Sequence, residues 1–235
     1  MHVSESLPTV LIPGLLGSAR LYAGQIPPLW RVGPVTIADH TRDDSMSAIA
    51  RRILATAPPR FALIGLSMGG YVAFEILRQA AERIARLALL DTSARADAAE
   101  QTAVRRAQMT LASQGRLTEV VEQQFPRLVH RARRSDAALR EVFDLMAGEV
   151  GAAAFIRQQA AILGRSDSRP TLGSIRCPTL VLVGDGDELT PPELAAEMAA
   201  GIDGARLVTV PHSGHLSTLE QPQEVTRVLL EWLQA

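Results

Sequence analysis

The sequence contains no lysine, because all 24 of its basic residues are arginine. This absence excludes a P-loop lysine that would bind nucleotide phosphates and a lysine that would form a Schiff base with a substrate. Neither sign of charge dominates, since the formal net charge at pH 7 is -1. The charge balance therefore gives no indication of a nucleic-acid or anionic-membrane partner.

The chain has a single cysteine, Cys177, which excludes an internal disulfide framework. Because Cys177 precedes Pro178 at the start of an apolar run, we interpret it as a buried structural thiol. No apolar run reaches the roughly 18–20 residues that a membrane-spanning helix needs, and residues 1–8 lack the basic and then apolar pattern of a signal peptide. We therefore expect a cytoplasmic protein without a membrane partner; the composition favours no particular oligomeric state.

Short apolar runs alternate with amphipathic segments, a pattern typical of βαβ units around a parallel sheet. With 235 residues, of which 47% are hydrophobic, the chain is long enough to form one buried core. Helices are predicted over residues 45–57, 193–200 and 225–233, with Ser45 as the N-cap of the first. The predicted strands are residues 9–12, 35–38, 61–64, 84–90, 179–183 and 205–210.

The alternation breaks between residues 95 and 171, which contain no convincing strand and are rich in alanine, arginine, glutamine and glutamate. Helical periodicity recurs there over residues 104–111, 117–125 and 137–146. We interpret residues 95–171 as a helical cap inserted over the strand ends. Residues 1–94 and 172–235 then form the core domain.

Residues 65–69, Gly-Leu-Ser-Met-Gly, stand between a predicted strand and a helix-like segment, so Ser67 lies at the apex of a sharp turn. A serine in this position takes a strained backbone conformation, and side chains at positions 65 and 69 would collide with their surroundings. The turn raises the hydroxyl above the sheet at a helix N-terminus, where backbone N–H groups stabilise negative charge. Ser67 is therefore the candidate nucleophile; the alternative is a serine that only caps the helix.

A serine nucleophile needs a base, and the base needs an acid that orients it. The fifth predicted strand is followed by Asp185 and Asp187, and the sixth by His212 and His215. We favour Asp187 as the acid and His215 as the base, the latter because a glycine precedes it. Asp185 and His212 stay as alternatives, together with Asp91 after the fourth strand.

The chain resembles the α/β-hydrolase superfamily in three motifs that occur in the family's order. Residues 65–69 resemble its nucleophile elbow, residues 184–191 (Gly-x-x-Asp-x-x-x-Pro) its acid loop, and residues 213–215 (Ser-Gly-His) its histidine loop. The sequence around Ser67 is also similar to the small esterase and enol-lactonase branch, which includes cofactor-free perhydrolases. The resemblance implies the α/β-hydrolase fold, a mostly parallel sheet flanked by helices, with a helical cap.

The resemblance also implies a role for each site residue. Ser67 attacks an acyl carbonyl, His215 takes the serine proton and returns it to the leaving group, and Asp187 holds the imidazole in position. The backbone N–H groups of Leu15 and Met68 are implied as the two donors of the oxyanion hole. This chemistry needs neither a cofactor nor a metal.

Two segments depart from the family's pattern. Many relatives have His-Gly where this chain has Pro13-Gly14, so a histidine that often braces the oxyanion loop is missing. The segment after the second strand, residues 39–44, is polar and free of glycine. Its aspartates and His40 are a weak set of metal ligands, and we interpret them as solvated turn residues.

We therefore predict an enzyme, a serine hydrolase that cleaves a small carboxylic ester, lactone or thioester through an acyl-enzyme. A perhydrolase, a C–C bond hydrolase or a lyase on the same scaffold is an alternative, because the pocket rather than the fold decides the reaction. A ligand-binding signalling protein is a further alternative. One basic cluster of the insertion could bind a substrate carboxylate, although we interpret it as a solvated helix face: Arg131, Arg133 and Arg134.

Overall fold

The computed structural model describes residues 6–235 of the chain. The expectation about the N-terminal residues 1–8 falls largely on residues 1–5, which lie outside the described residues. Within residues 6–235, no helix combines the length and the apolar character that crossing a membrane requires.

Six strands form one sheet in the part of the chain that the structure describes: β1 Thr9–Ile12, β2 Val35–Ile37, β3 Phe61–Leu66, β4 Ile84–Leu90, β5 Thr179–Gly184 and β6 Arg206–Val210. Their order across the sheet is β2-β1-β3-β4-β5-β6, and every neighbouring pair is parallel. The predicted parallel sheet is confirmed, and each strand lies where the apolar runs placed it.

Nine α-helices surround the sheet within residues 6–235: α1 Ile26–Trp30, α2 Met46–Thr56, α3 Met68–Ala80, α4 Ala99–Ser113, α5 Leu117–Leu128, α6 Ala137–Leu163, α7 Pro192–Gly201, α8 Ser217–Glu220 and α9 Pro222–Gln234. The Ser45 side chain caps α2 by accepting a hydrogen bond from the Ala48 amide. Helix α9 begins at Pro222 rather than at residue 225, since proline is well tolerated in the first helical turn.

The central strand β3 is buried on both faces, which explains its unbroken apolar run. Phe61 and Leu63 pack in the cluster that contains α2 and α3, whereas Ala62 and Ile64 pack in the cluster on the opposite face. This alternation follows from the two-residue period of a strand. The sheet therefore separates two apolar cores.

The segment between β4 and β5 is helical, and residues 95–171 contain no strand. Apolar side chains of α5 and α6, among them Val120, Phe125 and Phe155, belong to the same buried cluster as Ile64 of the sheet. Gly151, with a φ of 75°, interrupts the helical conformation of α6. The helical segment thus shares a core with the sheet.

Cys177 is only half-buried, so the prediction of a buried thiol is wrong. The residue lies in the turn before β5, ahead of the strand residues that enter the sheet. Its side chain packs at the edge of the α2–α3 cluster. Partial burial raises the pKa of the thiol.

The carboxyl ends of the parallel strands lie at one edge of the sheet. Leu66 at the end of β3 pairs with Leu90 of β4, and Leu90 pairs with Leu182 of β5. The loops that follow the strands therefore converge at this edge, which is where parallel α/β sheets place their functional residues.

Candidate active site

Ser67 occupies the turn between β3 and α3 in a backbone conformation that non-glycine residues rarely adopt, with φ 55° and ψ −115°. Two contacts hold it there. The Ser67 amide donates to the Leu90 carbonyl at 2.9 Å, and the Thr92 hydroxyl donates to the Ser67 carbonyl at 2.7 Å. Such a strained residue persists only where its surroundings fix it.

The glycines that flank Ser67 allow the backbone to pack closely at the turn. A Cβ atom at Gly65 would lie 2.3 Å from the Gly69 carbonyl oxygen, and one at Gly69 would lie 2.1 Å from the Ile12 carbonyl oxygen. Both distances are far inside van der Waals contact with backbone that cannot move aside. The spacing of glycine around the serine therefore has a direct steric cause.

The structure brings Ser67, His215 and Asp187 into one hydrogen-bonded chain. His215 Nε2 lies 2.8 Å from Ser67 Oγ, and His215 Nδ1 lies 2.8 Å from Asp187 Oδ2. Asp187 and His215 are each 3% exposed. A base within hydrogen-bond reach of a hydroxyl, oriented by a carboxylate on its other nitrogen, is the arrangement that activates a serine.

Asp187 is held by donors as well as by the histidine. Its Oδ1 accepts from the Leu189 amide at 2.8 Å and the Thr190 amide at 3.0 Å. Its Oδ2 accepts from the Thr190 hydroxyl at 2.7 Å. Burial alone acts to raise the pKa of Asp187, but His215 and these hydrogen bonds hold that pKa below its usual value. The carboxyl group therefore stays ionised beside the imidazole.

His215 has its pKa shifted in the opposite sense. Burial acts to lower it, but the negative charge and hydrogen bond of Asp187 raise the pKa of His215 above its ordinary value. The histidine loop is also fixed from the helical segment, since the backbone amides of His215 and Leu216 both donate to the Leu128 carbonyl, at 2.9 and 3.1 Å. The end of α5 thus helps to place the imidazole.

Glu220 is a buried carboxyl group that sequence reasoning missed. Its oxygens accept from the backbone amides of Gly214 at 2.8 Å and His130 at 2.7 Å, which joins the histidine loop to the helical segment. Burial raises the pKa of Glu220. No local pattern marks this residue, because the contact with His130 spans 90 positions of the chain.

Asp91, one alternative acid, lies fully buried near the others but makes different contacts. Its Oδ1 accepts from the Gly184 amide at 2.9 Å, and its Oδ2 shares a hydrogen bond with the Ser217 hydroxyl. Burial, reinforced by the nearby charge of Asp187, raises the pKa of Asp91 to about 8. Asp91 therefore retains its proton at neutral pH and links β5 to α8.

The other two alternatives lie at the surface. Asp185 is exposed and accepts from the Ser213 amide at 3.2 Å. His212 is exposed, has a φ of 55°, and sets its ring edge against His130 with the ring centroids 6.2 Å apart. Neither residue takes part in the hydrogen-bonded chain of Ser67.

Replacing Asp91 by asparagine tests the proton assignment through stability. The folded pKa of about 8 exceeds the unfolded value near 4, so the unfolded chain releases its proton first and wild-type stability falls as pH rises between these values. Asparagine does not titrate. The free energy of unfolding of Asp91→Asn, measured relative to that of wild type, should therefore increase by on the order of 2–4 kcal/mol as the pH rises from 5 to 8.

Urea unfolding at several pH values measures this difference, with the exposed Asp44→Asn as the control. A pH-independent difference between Asp91→Asn and wild type would show that Asp91 is ionised throughout this range.

The loop after β1 lies directly against the nucleophile. A Cβ atom at Gly14 would be 3.2 Å from Ser67 Cβ. The Gly17 amide closes a turn by donating to the Gly14 carbonyl at 2.9 Å, and Leu16 within it has a φ of 58°. Leu15 lies in this turn, and Met68 begins α3, where the helix offers its first amides no carbonyl partner.

The interpretation of residues 39–44 as solvated turn residues is wrong for His40, which is 2% exposed. His40 Nε2 lies 2.9 Å from the Gly14 carbonyl oxygen, so a histidine does contact the loop after β1 although Pro13 replaces the expected one. Asp39 instead bonds Thr41 and Arg42 at the surface. Among residues 6–235, no group of three or more His, Cys, Asp and Glu side chains is placed to hold a metal ion.

The arginine cluster of the insertion is mostly paired within the protein. Arg133 bonds Asp136 at 2.8 Å and the Glu220 carbonyl at 2.8 Å. Arg134 bonds Glu188 at 2.6 Å, and Arg131 is exposed. Arg131 and Arg134 are exposed, as the interpretation of a solvated face expects, whereas Arg133 is only partly exposed and bonds the backbone of α8.

Comparison with known proteins gives consistent matches along the chain. A family model described as "Alpha/beta hydrolase family" matches residues 9–228. The pimeloyl-[acyl-carrier protein] methyl ester esterase of Nitrosomonas europaea is 27% identical over 194 residues, which cover 77% of this chain and 74% of that protein. A thermophilic esterase from Thermogutta terrifontis superposes with a TM-score of 0.89 and 29% identity, covering 97% of this chain and 89% of that chain. The enol-lactonase of Burkholderia xenovorans LB400 shares the fold, with a TM-score of 0.88 at 22% identity over 100% of this chain and 94% of that chain.

Proposed function

Because the chain belongs to the alpha/beta hydrolase family, and the proteins similar to it include esterases, we propose that it is a serine hydrolase. Its substrate is a small carboxylic ester, lactone or thioester. The observation that carries this proposal is the chain of 2.8 Å contacts from Ser67 Oγ through His215 to Asp187.

In the first half of the reaction, Ser67 Oγ attacks the acyl carbonyl while His215 Nε2 takes its proton. The ionised Asp187 stabilises the imidazolium that forms, in keeping with its lowered pKa. The tetrahedral intermediate then collapses, the C–O or C–S bond breaks, and His215 gives its proton to the leaving alcohol or thiol. Water, deprotonated by His215, releases the acid from Ser67 by the same route.

The negative oxygen of the tetrahedral intermediate needs hydrogen-bond donors aimed at the position where its charge develops. We assign this role to the backbone N–H groups of Leu15 and Met68. Met68 stands at the N-terminus of α3, where the helix dipole favours negative charge. The loop with Leu15 packs against Ser67 through Gly14. Loss of one such donor typically raises the barrier by about 3–4 kcal/mol.

Residues 95–171 form the proposed helical cap over this site. The proposal is supported by the contacts of the segment with the histidine loop, which run through Leu128 and His130. Side chains of the cap, together with Leu15, would then select the acyl and alcohol groups that enter.

The rate should depend on pH through His215, which must be neutral to accept a proton. Activity is therefore present above the pKa of His215 and lost as the pH falls through it. Since Asp187 raises this pKa above 6.5, we expect the acid limb of kcat/KM to have a midpoint above 6.5. A pH profile on p-nitrophenyl acetate gives the midpoint, and a value well below 6.5 would contradict the assignment of the base.

Hydrolysis of short-chain p-nitrophenyl esters and thioesters, followed by release of the chromophore, tests the proposed function. We expect turnover above about 1 s⁻¹ on at least one of them, as is typical of enzymes. Peracid formation or C–C cleavage without ester turnover would favour the alternative reactions. Tight binding of a ligand with negligible turnover on every substrate would favour a binding protein.

A further inference from the structure

We infer that His40 and Gln158 are positioning residues that fix the Gly14–Leu15 peptide group and thereby aim the Leu15 amide at the reacting oxygen. This inference rests on the proposed function, since it concerns the donor assigned there to the oxyanion hole. It adds two residues from distant parts of the chain that no motif marks.

The argument begins with the geometry of one peptide group. The carbonyl of Gly14 and the N–H of Leu15 belong to the same planar, trans unit, so they point in opposite directions. The Gly14 oxygen is held by the Gly17 amide at 2.9 Å and by His40 Nε2 at 2.9 Å. Fixing this oxygen on two sides fixes the direction of the Leu15 N–H.

The contact with His40 determines where the ring carries its hydrogen. A carbonyl oxygen only accepts, so a hydrogen bond to Gly14 forms only in the tautomer that carries the hydrogen on Nε2. In the other tautomer, Nε2 would accept from Gln158 Nε2, 3.2 Å away, and would face the Gly14 oxygen with a lone pair at 2.9 Å. The two tautomers thus correspond to a braced and an unbraced peptide group, and the shorter contact favours the braced one.

Gln158 fixes the next peptide group along the loop. Its side chain, fully buried on α6, accepts from the Leu16 amide at 3.2 Å through Oε1. Leu16 has a φ of 58°, a conformation that costs energy for a leucine and needs support. Leu15 therefore lies between two peptide groups that are each held by a buried side chain.

The consequence for catalysis is specific. A donor that is aimed in advance stabilises the transition state more than the bound substrate, so loosening it lowers kcat and leaves KM nearly unchanged. Outright loss of an oxyanion donor costs about 10²–10³ in kcat, and loss of a residue that only orients a functional group costs about 10–100-fold.

The test compares kcat and KM of four variants on p-nitrophenyl acetate. We expect His40→Ala and Gln158→Leu each to lower kcat by about 10-fold or more with KM within about threefold. His40→Gln should recover most of the activity, because its amide nitrogen can reach the position of Nε2. Gln159→Leu is the matched control, since Gln159 is equally buried on the same helix but bonds Arg105 and Gln108.

Equal kcat values for Gln158→Leu, His40→Ala and Gln159→Leu would overturn the inference, as would losses that appear in KM alone. If His40→Ala does not fold, the comparison of Gln158→Leu with Gln159→Leu decides the matter. A second measurement is independent of activity: ¹⁵N NMR of the wild-type histidines should show His40 as the Nε2–H tautomer, and an Nδ1–H tautomer would contradict the brace. Absence of ester turnover in the wild type would instead refute the proposed function.

Discussion

Ser67→Ala should lower kcat for ester hydrolysis by on the order of 10⁵–10⁶-fold, because the acyl-enzyme can no longer form. The change removes one oxygen whose hydrogen-bond partner is His215 Nε2. The backbone of the turn is held by other contacts, through Leu90 and Thr92, so the fold should be retained. Steady-state kinetics and a thermal melt measure both properties on the same preparation.

Ser93→Ala is the matched control for this substitution. Ser93 is a buried serine, whereas Ser67 is partly exposed; Ser93 follows β4 at the same edge of the sheet, and its hydroxyl accepts from the Arg95 amide. We expect the control to keep wild-type activity within a few-fold. Retention of more than a tenth of the activity by Ser67→Ala would show that another group carries the reaction.

Asp187→Asn is expected to lower kcat by about 10³–10⁴-fold. If the asparagine turns its N–H group toward His215, it no longer accepts from Nδ1–H and no longer stabilises the required tautomer. If it turns its oxygen toward His215, that oxygen carries no charge and stabilises the imidazolium less. Asp91→Asn, by contrast, replaces a carboxyl group that is already neutral at pH 7, and kcat should change by less than about threefold.

Both aspartates are buried and close to His215, so their roles are distinguished by comparing the activities of the two variants. Asp91 lies within electrostatic reach of His215 yet hydrogen-bonds Gly184 and Ser217. Kinetics at pH 7 with p-nitrophenyl acetate decide between them. A loss in Asp91→Asn as large as that in Asp187→Asn would assign the acid to both residues together.

The position of Ser67 could be read from the sequence because a local steric rule requires the glycine two residues before it. The contacts that forbid a side chain at Gly65 come from Gly69, four residues away. A short motif therefore carries the information that the turn needs. The strands were predictable for a similar reason, since each one is a short and mostly apolar run, and β3 and β5 are buried along their whole length.

The supports of the site could not be read in this way. Leu16 and Gln158 are 142 positions apart, and His40 and Gly14 are 26 apart, so neither contact leaves a local pattern. His40 stands among polar residues in the sequence, and this pattern predicts a solvated side chain. Its burial depends on α6 covering the loop, which the periodicity of the helical segment does not specify.

The choice between neighbouring candidates for the base and the acid could be predicted from the sequence only in part. The glycine before His215 favoured it over His212, and the structure places His215 at 2.8 Å from Ser67 Oγ with His212 at the surface. Spacing alone left Asp185 and Asp91 as alternatives to Asp187. Distances between three loops decide such questions, and those distances come from the packing of the sheet.

A crystal structure of the protein inactivated by an alkyl fluorophosphonate would examine nucleophile, base and oxyanion donors at once. We predict phosphorus bonded to Ser67 Oγ and His215 Nε2 in hydrogen-bond contact with the adduct. The phosphoryl oxygen should lie about 2.7–3.1 Å from the amides of Leu15 and Met68. An adduct on another residue, or a phosphoryl oxygen turned away from both amides, would contradict the mechanism.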